Sequence, residues 1–430
     1  SFRSAYAKLV DSGFNAIPFE PDFGGGGFPW LVALAVQEMF TSANMSLSLC
    51  NLLTQGAIDA LQHHGSNEQQ ATYLPKMLTG EWSGTMNLSE PQAGSDVGAV
   101  ATKAVPTDRG DDSYAITGTK IWITHGEQDL TENIIHLVLA RTPDAKPGTR
   151  GISMFLVPKF IPNEDGALGE RNDVEVVSIE HKLGIHGSPT CVLSYGQKDG
   201  AIGYLVGEAG RGLEYMFIMM NAARYAVGVQ GIAIADRAYQ KAVTYARERV
   251  QSRPVDGSMN QSAPIIHHPD VKRMLMTMRA YTEGCRALAT AAAAAFDAAH
   301  HHPDEASRKA NKTFYEFMVP LVKGFSTEMS LEVTSLGVQV HGGMGFIEET
   351  GAAQYYRDAK ILTIYEGTTA IQANDLVGRK TARDGAQQAL SLASQIAQTE
   401  SALRASGTDD ARVMADALQQ SREAFEEAAR

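Results

Sequence analysis

The residue in this sequence best suited to chemistry is a single carboxylate, Glu366. It closes the stretch Tyr355-Tyr356-Arg357-Asp358-Ala359-Lys360-Ile361-Leu362-Thr363-Ile364-Tyr365-Glu366-Gly367-Thr368-Thr369. A charged helix end gives way there to an apolar run, and one acid stands before a glycine. Burying a lone acid after such a run is costly unless it is neutralised or paired. Desolvation raises the pKa of a glutamate so placed, which is what a general base working near neutral pH requires. Gly367 lets the backbone pass close to a ligand, and Thr368 has the form of an N-cap for a following helix. The same pattern also describes a surface loop in which Glu366 merely caps, and spacing alone does not separate the two.

Four other stretches carry residue types suited to a polar ligand. Met86-Asn87-Leu88-Ser89-Glu90-Pro91-Gln92-Ala93-Gly94-Ser95-Asp96 leaves a strand for a loop of small hydrogen-bonding residues, able to offer N–H groups and hydroxyls or to be a common turn. Gly118-Thr119-Lys120-Ile121-Trp122-Ile123-Thr124 reads as a strand, with core packing the plain alternative for Trp122. Asn221-Ala222-Ala223-Arg224 sits on a helix, where an arginine usually marks a solvated face. Gln339-Val340-His341-Gly342-Gly343-Met344-Gly345-Phe346 has glycines that permit close approach. The histidine pairs and the triplet at 300–302 lack ligand spacing, so no metal site is expected.

The elements that must position these groups follow from period and composition. At 430 residues, 44% apolar and 20% charged, the chain reads as a globular protein of several domains. Helices with short breaks are expected over 1–81, the glycine-rich run at 24–27 being a turn and not a phosphate loop. Ser66-Asn67-Glu68-Gln69 has the form of a capping box. Over 82–207 the period shortens, with strands expected at 82–89, 97–105, 113–123, 134–140, 152–157, 174–179 and 190–194, making a small β-barrel or sandwich. Long amphipathic helices return over 212–249, 269–299 and 303–337, and a fourth is expected to start after Glu366 and pass Arg379, giving a four-helix bundle over 208–380. Additional helices occupy 381–430. The fold class is therefore α+β multidomain: a helical domain, a central β domain and a helical bundle with additional helices.

A net charge of −12 disfavours nucleic acid as a partner. No run of 18 or more apolar residues occurs, so no membrane span is expected. Cys50, Cys191 and Cys285 read as reduced thiols of an intracellular, cytoplasmic protein. The chain starts at Ser1 without methionine and stops within a helix, so a longer protein is expected at both ends.

The stretches quoted above resemble, in order, the motifs of the acyl-CoA dehydrogenases, a flavoprotein family, over about residues 1–380. The resemblance implies bound FAD, with Glu366 as the base that removes the α-proton of an acyl-CoA thioester. It sets Met86, Leu88, Ser89, Trp122, Ile123 and Thr124 along the flavin ring, and Gly94 and Ser95 near flavin or substrate phosphates. Gln339, Gly342, Gly343 and Thr368 join the cofactor set, and Arg249 reaches the flavin of a neighbouring subunit. Ser95, Asn221 and Arg224 are assigned to coenzyme A, although many members have aspartate where this chain has Asn221. The Arg-x-x-Phe-Gly motif of the family also departs, since Ser252 and Arg253 replace its last two residues.

The product implied is a trans-2-enoyl-CoA, the electron acceptor an electron-transfer flavoprotein, and the assembly a homodimer or homotetramer. The segment beyond Arg379 is similar to the larger members with extra carboxy-terminal helices, the 3-methylmercaptopropionyl-CoA dehydrogenases among them. That implies 3-(methylthio)propanoyl-CoA or a fatty acyl-CoA as substrate. An acyl-CoA oxidase and the DNA-binding flavoprotein relative of alkylation stress are the alternatives, the second opposed by the negative charge.

Overall fold

The computed structural model describes residues 1–430, the side chain of residue 218 excepted. Ser1 caps the first helix, its hydroxyl accepting from the Ser4 N–H, and α1 (Phe2–Asp11) ends at Gly13 in a left-handed turn. α2 (Trp30–Ala43), α3 (Met45–His64) and α4 (Asn67–Thr79) complete the helical start. α4 opens on the capping box read from the sequence, Ser66 and Gln69 exchanging two bonds of 3.1 Å.

The strands are β1 (Trp82–Asn87), β2 (Lys103–Pro106), β3 (Ser113–Thr124), β4 (Asn133–Ala140) and β5 (Ser153–Pro158). They continue as β6 (Phe160–Pro162), β7 (Leu168–Arg171), β8 (Val174–Ile179), β9 (Thr190–Tyr195) and β10 (Ala201–Val206). One curled sheet runs β1-β4-β5-β10-β3-β9-β8, with β2 beside β3, while β6 and β7 form a separate hairpin. β1 pairs with β4 in parallel, and the other ladders are antiparallel. Where a strand was expected over 97–105, Val97–Ala99 is a 3₁₀ turn and pairing begins at Lys103. The Glu90 carboxylate takes the N–H groups of Ala101 (2.8 Å) and Thr102 (3.1 Å), the donors a ladder would need. β10 escaped the sequence reading because it is apolar on both faces and shows no alternation.

Three long helices follow: α5 (Gly212–Glu248), α6 (Pro269–His301) and α7 (Glu305–His341). α5 holds an 18-residue window of mean hydropathy 1.2, long and apolar enough by composition to cross a membrane. Since 82% of that window is buried inside the fold, its apolarity is accounted for by core packing. α8 (Ala352–Lys360) leads to the Glu366 turn, and α9 (Thr369–Asp375) leaves it. The fourth long helix expected through Arg379 is only this short one, continued by a π turn at Leu376–Thr381 and a 3₁₀ turn at Ala382–Asp384. The Thr381 hydroxyl donates back to the Leu376 carbonyl at 2.9 Å, which favours the wider turn, and Gly385 at φ 63 ends it. α10 (Gln387–Ala405) and α11 (Asp409–Ala429) form a hairpin locked by Arg422, which donates to Glu400 (2.6 Å) and Glu426 (2.9 Å). Leu392 and Phe425 attach this hairpin to the core of the bundle.

α5 and α7 cross nearly backbone to backbone. A β-carbon on Gly228 would lie 2.7 Å from the Val322 carbonyl oxygen, and one on Gly231 would lie 2.9 Å from that of Ser326. The contact falls within one helical turn of Arg224 on α5 and of Lys323 on α7, so it sets how near those two cations can stand. Gly228→Ala should therefore overpack the crossing and cost about 1–3 kcal/mol in chemical denaturation. Gly284→Ala on α6, where a β-carbon meets nothing within 4 Å, should be neutral or stabilising by up to about 1 kcal/mol. Equal effects from the two would mean that the crossing is not tightly packed.

Candidate active site

Glu366 stands on a turn between the 3₁₀ turn Ile361–Thr363 and α9. Its own φ is 54° and that of Gly367 is 87°, two left-handed residues in succession. A non-glycine residue held there costs about 1–3 kcal/mol and persists only where surrounding contacts fix it. Here Lys323 of α7 donates to the Gly367 carbonyl at 2.6 Å. Gln372 of α9 donates to the same carbonyl at 3.1 Å and to that of Glu366 at 3.3 Å. Thr368 caps α9, accepting from the Ile371 N–H at 3.4 Å as its position suggested. The Tyr365 hydroxyl donates to buried Gln230 on α5.

Glu366 as a residue is half-buried, while its carboxyl is enclosed by protein. Burial raises its pKa to about 7, against the opposing pull of the Arg224 and Lys323 charges. Glu366 is thus a group that changes protonation near neutrality, as a general base requires. Lys323 is fully buried, and burial brings its own pKa down to about 8 although Glu366 favours its charged form. Arg224 is not on a solvated face; it is 4% exposed, pairs with Asp375 at 3.4 Å, and is turned toward the charge of Glu366. Buried there, it lies within electrostatic reach of the Glu366 carboxyl. Asn221, one turn earlier, is partly exposed.

On the β side, the loop after β1 is held by one buried ion pair. Lys120, fully buried on β3, donates to Glu90 at 2.7 Å and to the Leu88 carbonyl at 3.0 Å, while the Ile121 N–H donates to the Ser89 carbonyl at 3.0 Å. For Glu90, burial pushes the pKa up, but the Lys120 charge and bonds from Lys120, Thr102 and Ala101 prevail and hold it down to about 2. Both partners are therefore charged at neutral pH. Met86, Leu88 and Ser89 are half-buried along this loop, and Gly94 and Ser95 are exposed at its tip.

Trp122 follows at a break in the β3–β9 register, with φ 62° and 59% exposure. An exposed indole on a left-handed backbone is not core packing, which corrects the plain alternative. Thr124 is half-buried beside it, but Ile123 alternates inward and is 2% exposed within the β core. Its side chain is thus not available to a ring stacked on Trp122. The two halves of the site meet through Asp358 of α8, which accepts from the Ile185 N–H at 2.5 Å.

Arg249 and the glycine turn after α7 lie elsewhere. Tyr245 stacks on His341 at 4.5 Å, so the carboxy ends of α5 and α7 adjoin, with Arg249, Gln339, Gly342 and Gly343 exposed there. His341 is 18 residues along α7 from Lys323, about 27 Å at about 1.5 Å per residue. One chain therefore does not bring this group to Glu366. The sequence reading also missed Lys323, Gln372, Gln230 and the Glu90–Lys120 pair. Lys323 carried a usable signal: it is a lone cation on the face that Val319 and Thr327 also bury. The paired glutamines carried none, since their roles depend on helices meeting in space.

The chain matches the amino-terminal domain of the acyl-CoA dehydrogenases over residues 2–81, the middle domain over 85–197 and the carboxy-terminal domain over 210–381. It is 59% identical over 424 residues to 3-methylmercaptopropionyl-CoA dehydrogenase of Ruegeria pomeroyi, covering 99% of this chain and 71% of that protein. It is 42% identical over 388 residues to a butyryl-CoA dehydrogenase of Syntrophomonas wolfei, covering 88% of this chain and 63% of that one. An acyl-CoA dehydrogenase of Bacillus anthracis, solved in complex with FAD, superposes with a TM-score of 0.76 at 25% identity, over 93% of this chain and 65% of its own. Matched by all three domain models and 59% identical to a member over nearly its whole length, this chain belongs to the acyl-CoA dehydrogenase family.

Proposed function

We propose that this chain performs FAD-dependent oxidation of the Cα–Cβ bond of an acyl-CoA thioester, with 3-(methylthio)propanoyl-CoA or a short fatty acyl-CoA as substrate. The observation that carries this reading is Glu366, the one carboxyl on the left-handed turn, whose pKa stands at about 7. The short-chain preference is supported by identity to relatives named for 3-methylmercaptopropionyl-CoA and butyryl-CoA.

The residues present fit a flavin. Trp122 offers an exposed aromatic face, and β-carbons on Gly94, Gly342 or Gly343 would meet nothing within 4 Å, leaving room for a phosphate or ribityl chain. Met86, Leu88, Ser89, Trp122 and Thr124 would hold the ring side. FAD, when bound, accepts the β-hydrogen as hydride. Glu366 as carboxylate takes the α-proton, and the electron pair of that C–H bond becomes the new double bond of a trans-2-enoyl thioester. Among the described residues, no acceptor is paired with the Glu366 backbone N–H, which is free to donate to the thioester carbonyl as negative charge develops there. Arg224 and Lys323 keep the carboxylate from being neutralised altogether by its surroundings.

The rest of the reading is part of the same proposal: electrons leave to an electron-transfer flavoprotein, the enzyme acts in cytoplasmic lipid or fatty acid metabolism, and a second copy completes each flavin site. The separation of Arg249 and the 339–343 turn from Glu366 supports the last point, and a flavin-saturated monomer in light scattering would overturn it. Rapid bleaching of the flavin under nitrogen by 3-(methylthio)propanoyl-CoA or butyryl-CoA, and slow bleaching by long-chain thioesters, is the expected pattern; the reverse order would refute the substrate class. Glu366→Gln should keep its FAD and bind substrate, yet bleach slower by about two to four orders of magnitude. Because the reactive form is the carboxylate, kcat/KM of the unmodified enzyme should rise with pH through about 7. A flat profile there, or normal bleaching by the glutamine variant, would place the base elsewhere.

A further inference from the structure

We infer that Lys323 and Gln372 are positioning residues that clamp the Glu366–Gly367 turn, with Lys323 alone also setting the charge balance of the base. The inference rests on the reading of Glu366 as base and deepens it.

The geometry is specific. Both side chains are buried, Lys323 wholly and Gln372 to 2% exposure, and both converge on one carbonyl, that of Gly367. They come from different helices, α7 and α9, so together they fix that carbonyl from two directions. The peptide they hold follows a glutamate of φ 54°, a backbone that relaxes without such support. A buried ammonium with a carbonyl as its hydrogen-bond partner is costly for the fold alone. That cost is accounted for if the ammonium also faces the carboxylate it serves. The Gln372 carbonyl oxygen is buried without a partner, so this glutamine is oriented by what its amide donates to.

The charged and titratable groups around Glu366 come from every element packed on the turn. α5 supplies Arg224, α7 supplies Lys323 and Glu328, α9 and its π turn supply Asp375 and Arg379, and Tyr365 adjoins in the chain. Arg224 is already matched by Asp375, and the Glu328 carboxylate accepts from Thr369. Lys323 has no carboxylate within ion-pair distance, and of the two carboxylates whose charge favours its ammonium Glu366 is the stronger and Glu328 the weaker.

The test uses the FAD-loaded full chain with Lys323→Met and Gln372→Leu beside Glu366→Gln. Titration of Glu366 is followed by its carboxyl infrared band, identified by loss in Glu366→Gln, and bleaching rates are measured on the same samples. Lys323→Met should move the band's midpoint upward by about one pH unit and slow bleaching about ten- to a hundredfold. Gln372→Leu should slow bleaching to a similar degree with the midpoint unchanged, a split that a merely structural role would not produce. Wild-type rates and midpoint in Lys323→Met overturn the inference even when Glu366→Gln is inactive and the base assignment stands. Normal bleaching by Glu366→Gln removes the base itself, whatever the other two do. Should Lys323→Met fail to fold, Gln372→Leu decides the clamp: a wild-type rate overturns it and a slowed rate at constant midpoint supports it.

Discussion

Keeping an ionisable carboxyl inside the protein is the constraint on which the rest of this structure depends. An isolated buried carboxylate takes up a proton, whereas one paired too closely with a cation gives up its basicity. Glu366 escapes both outcomes because two cations approach from different helices without forming an ion pair with it. That arrangement needs α5 and α7 to be closer than ordinary side chains allow. Gly228 and Gly231 meet the requirement, lying against the carbonyls of Val322 and Ser326. The small-residue face of α5 is therefore part of the chemistry, although neither glycine touches a substrate.

The β domain answers the same problem in a different way. Glu90 and Lys120 are both buried, and their contact of 2.7 Å is direct, so Glu90 is held far below the range in which it would titrate. Breaking such a pair by removing one partner leaves an uncompensated charge, which is why it fixes a loop so firmly. Two glutamates thus have opposite fates. The one that must be rigid has a lysine in contact, and the one that must exchange a proton has its lysine on the neighbouring carbonyl.

Much of this was legible in the sequence. Glu366, the Ser66–Gln69 capping box and the extents of the three long helices follow from local patterns, because caps and amphipathic periods are local physics. The motifs around Ser89, Trp122 and Gly342 were legible by resemblance, although the inward turn of Ile123 was not, since a register break at Trp122 decides which way it faces. The burial of Arg224 was not legible for a similar reason. A helix pattern shows which residues share a face, but it does not show that the facing helix will come close enough to enclose one of them. The strand at 201–206 and the shortness of α9 fell outside local reasoning as well, the first lacking alternation and the second turning on a hydroxyl bond from Thr381 to Leu376.

The same geometry divides the proposed site residues into two groups. Glu366, Lys323, Arg224 and the Trp122 face belong to the interior and β side of one chain, while Arg249 and the 339–343 turn occupy the far ends of α5 and α7. A helix is stiff, so a separation of about 27 Å along α7 cannot be closed by side-chain movement. Met344, Phe346 and Ile347 stand exposed beside that turn, Phe346 at 85%, an apolar group with no role in the chain's own core. In the proposed twofold assembly both facts have one cause. The end of the bundle that cannot reach its own base is the end that presents an uncovered apolar surface, and covering that surface with a second copy is what would bring Arg249 to a flavin. Ser252 and Arg253, which stand where the family has an aromatic and a glycine, follow Arg249 at this end of the bundle, and the left-handed residue there is Ser252, at the aromatic's position, with φ 55°.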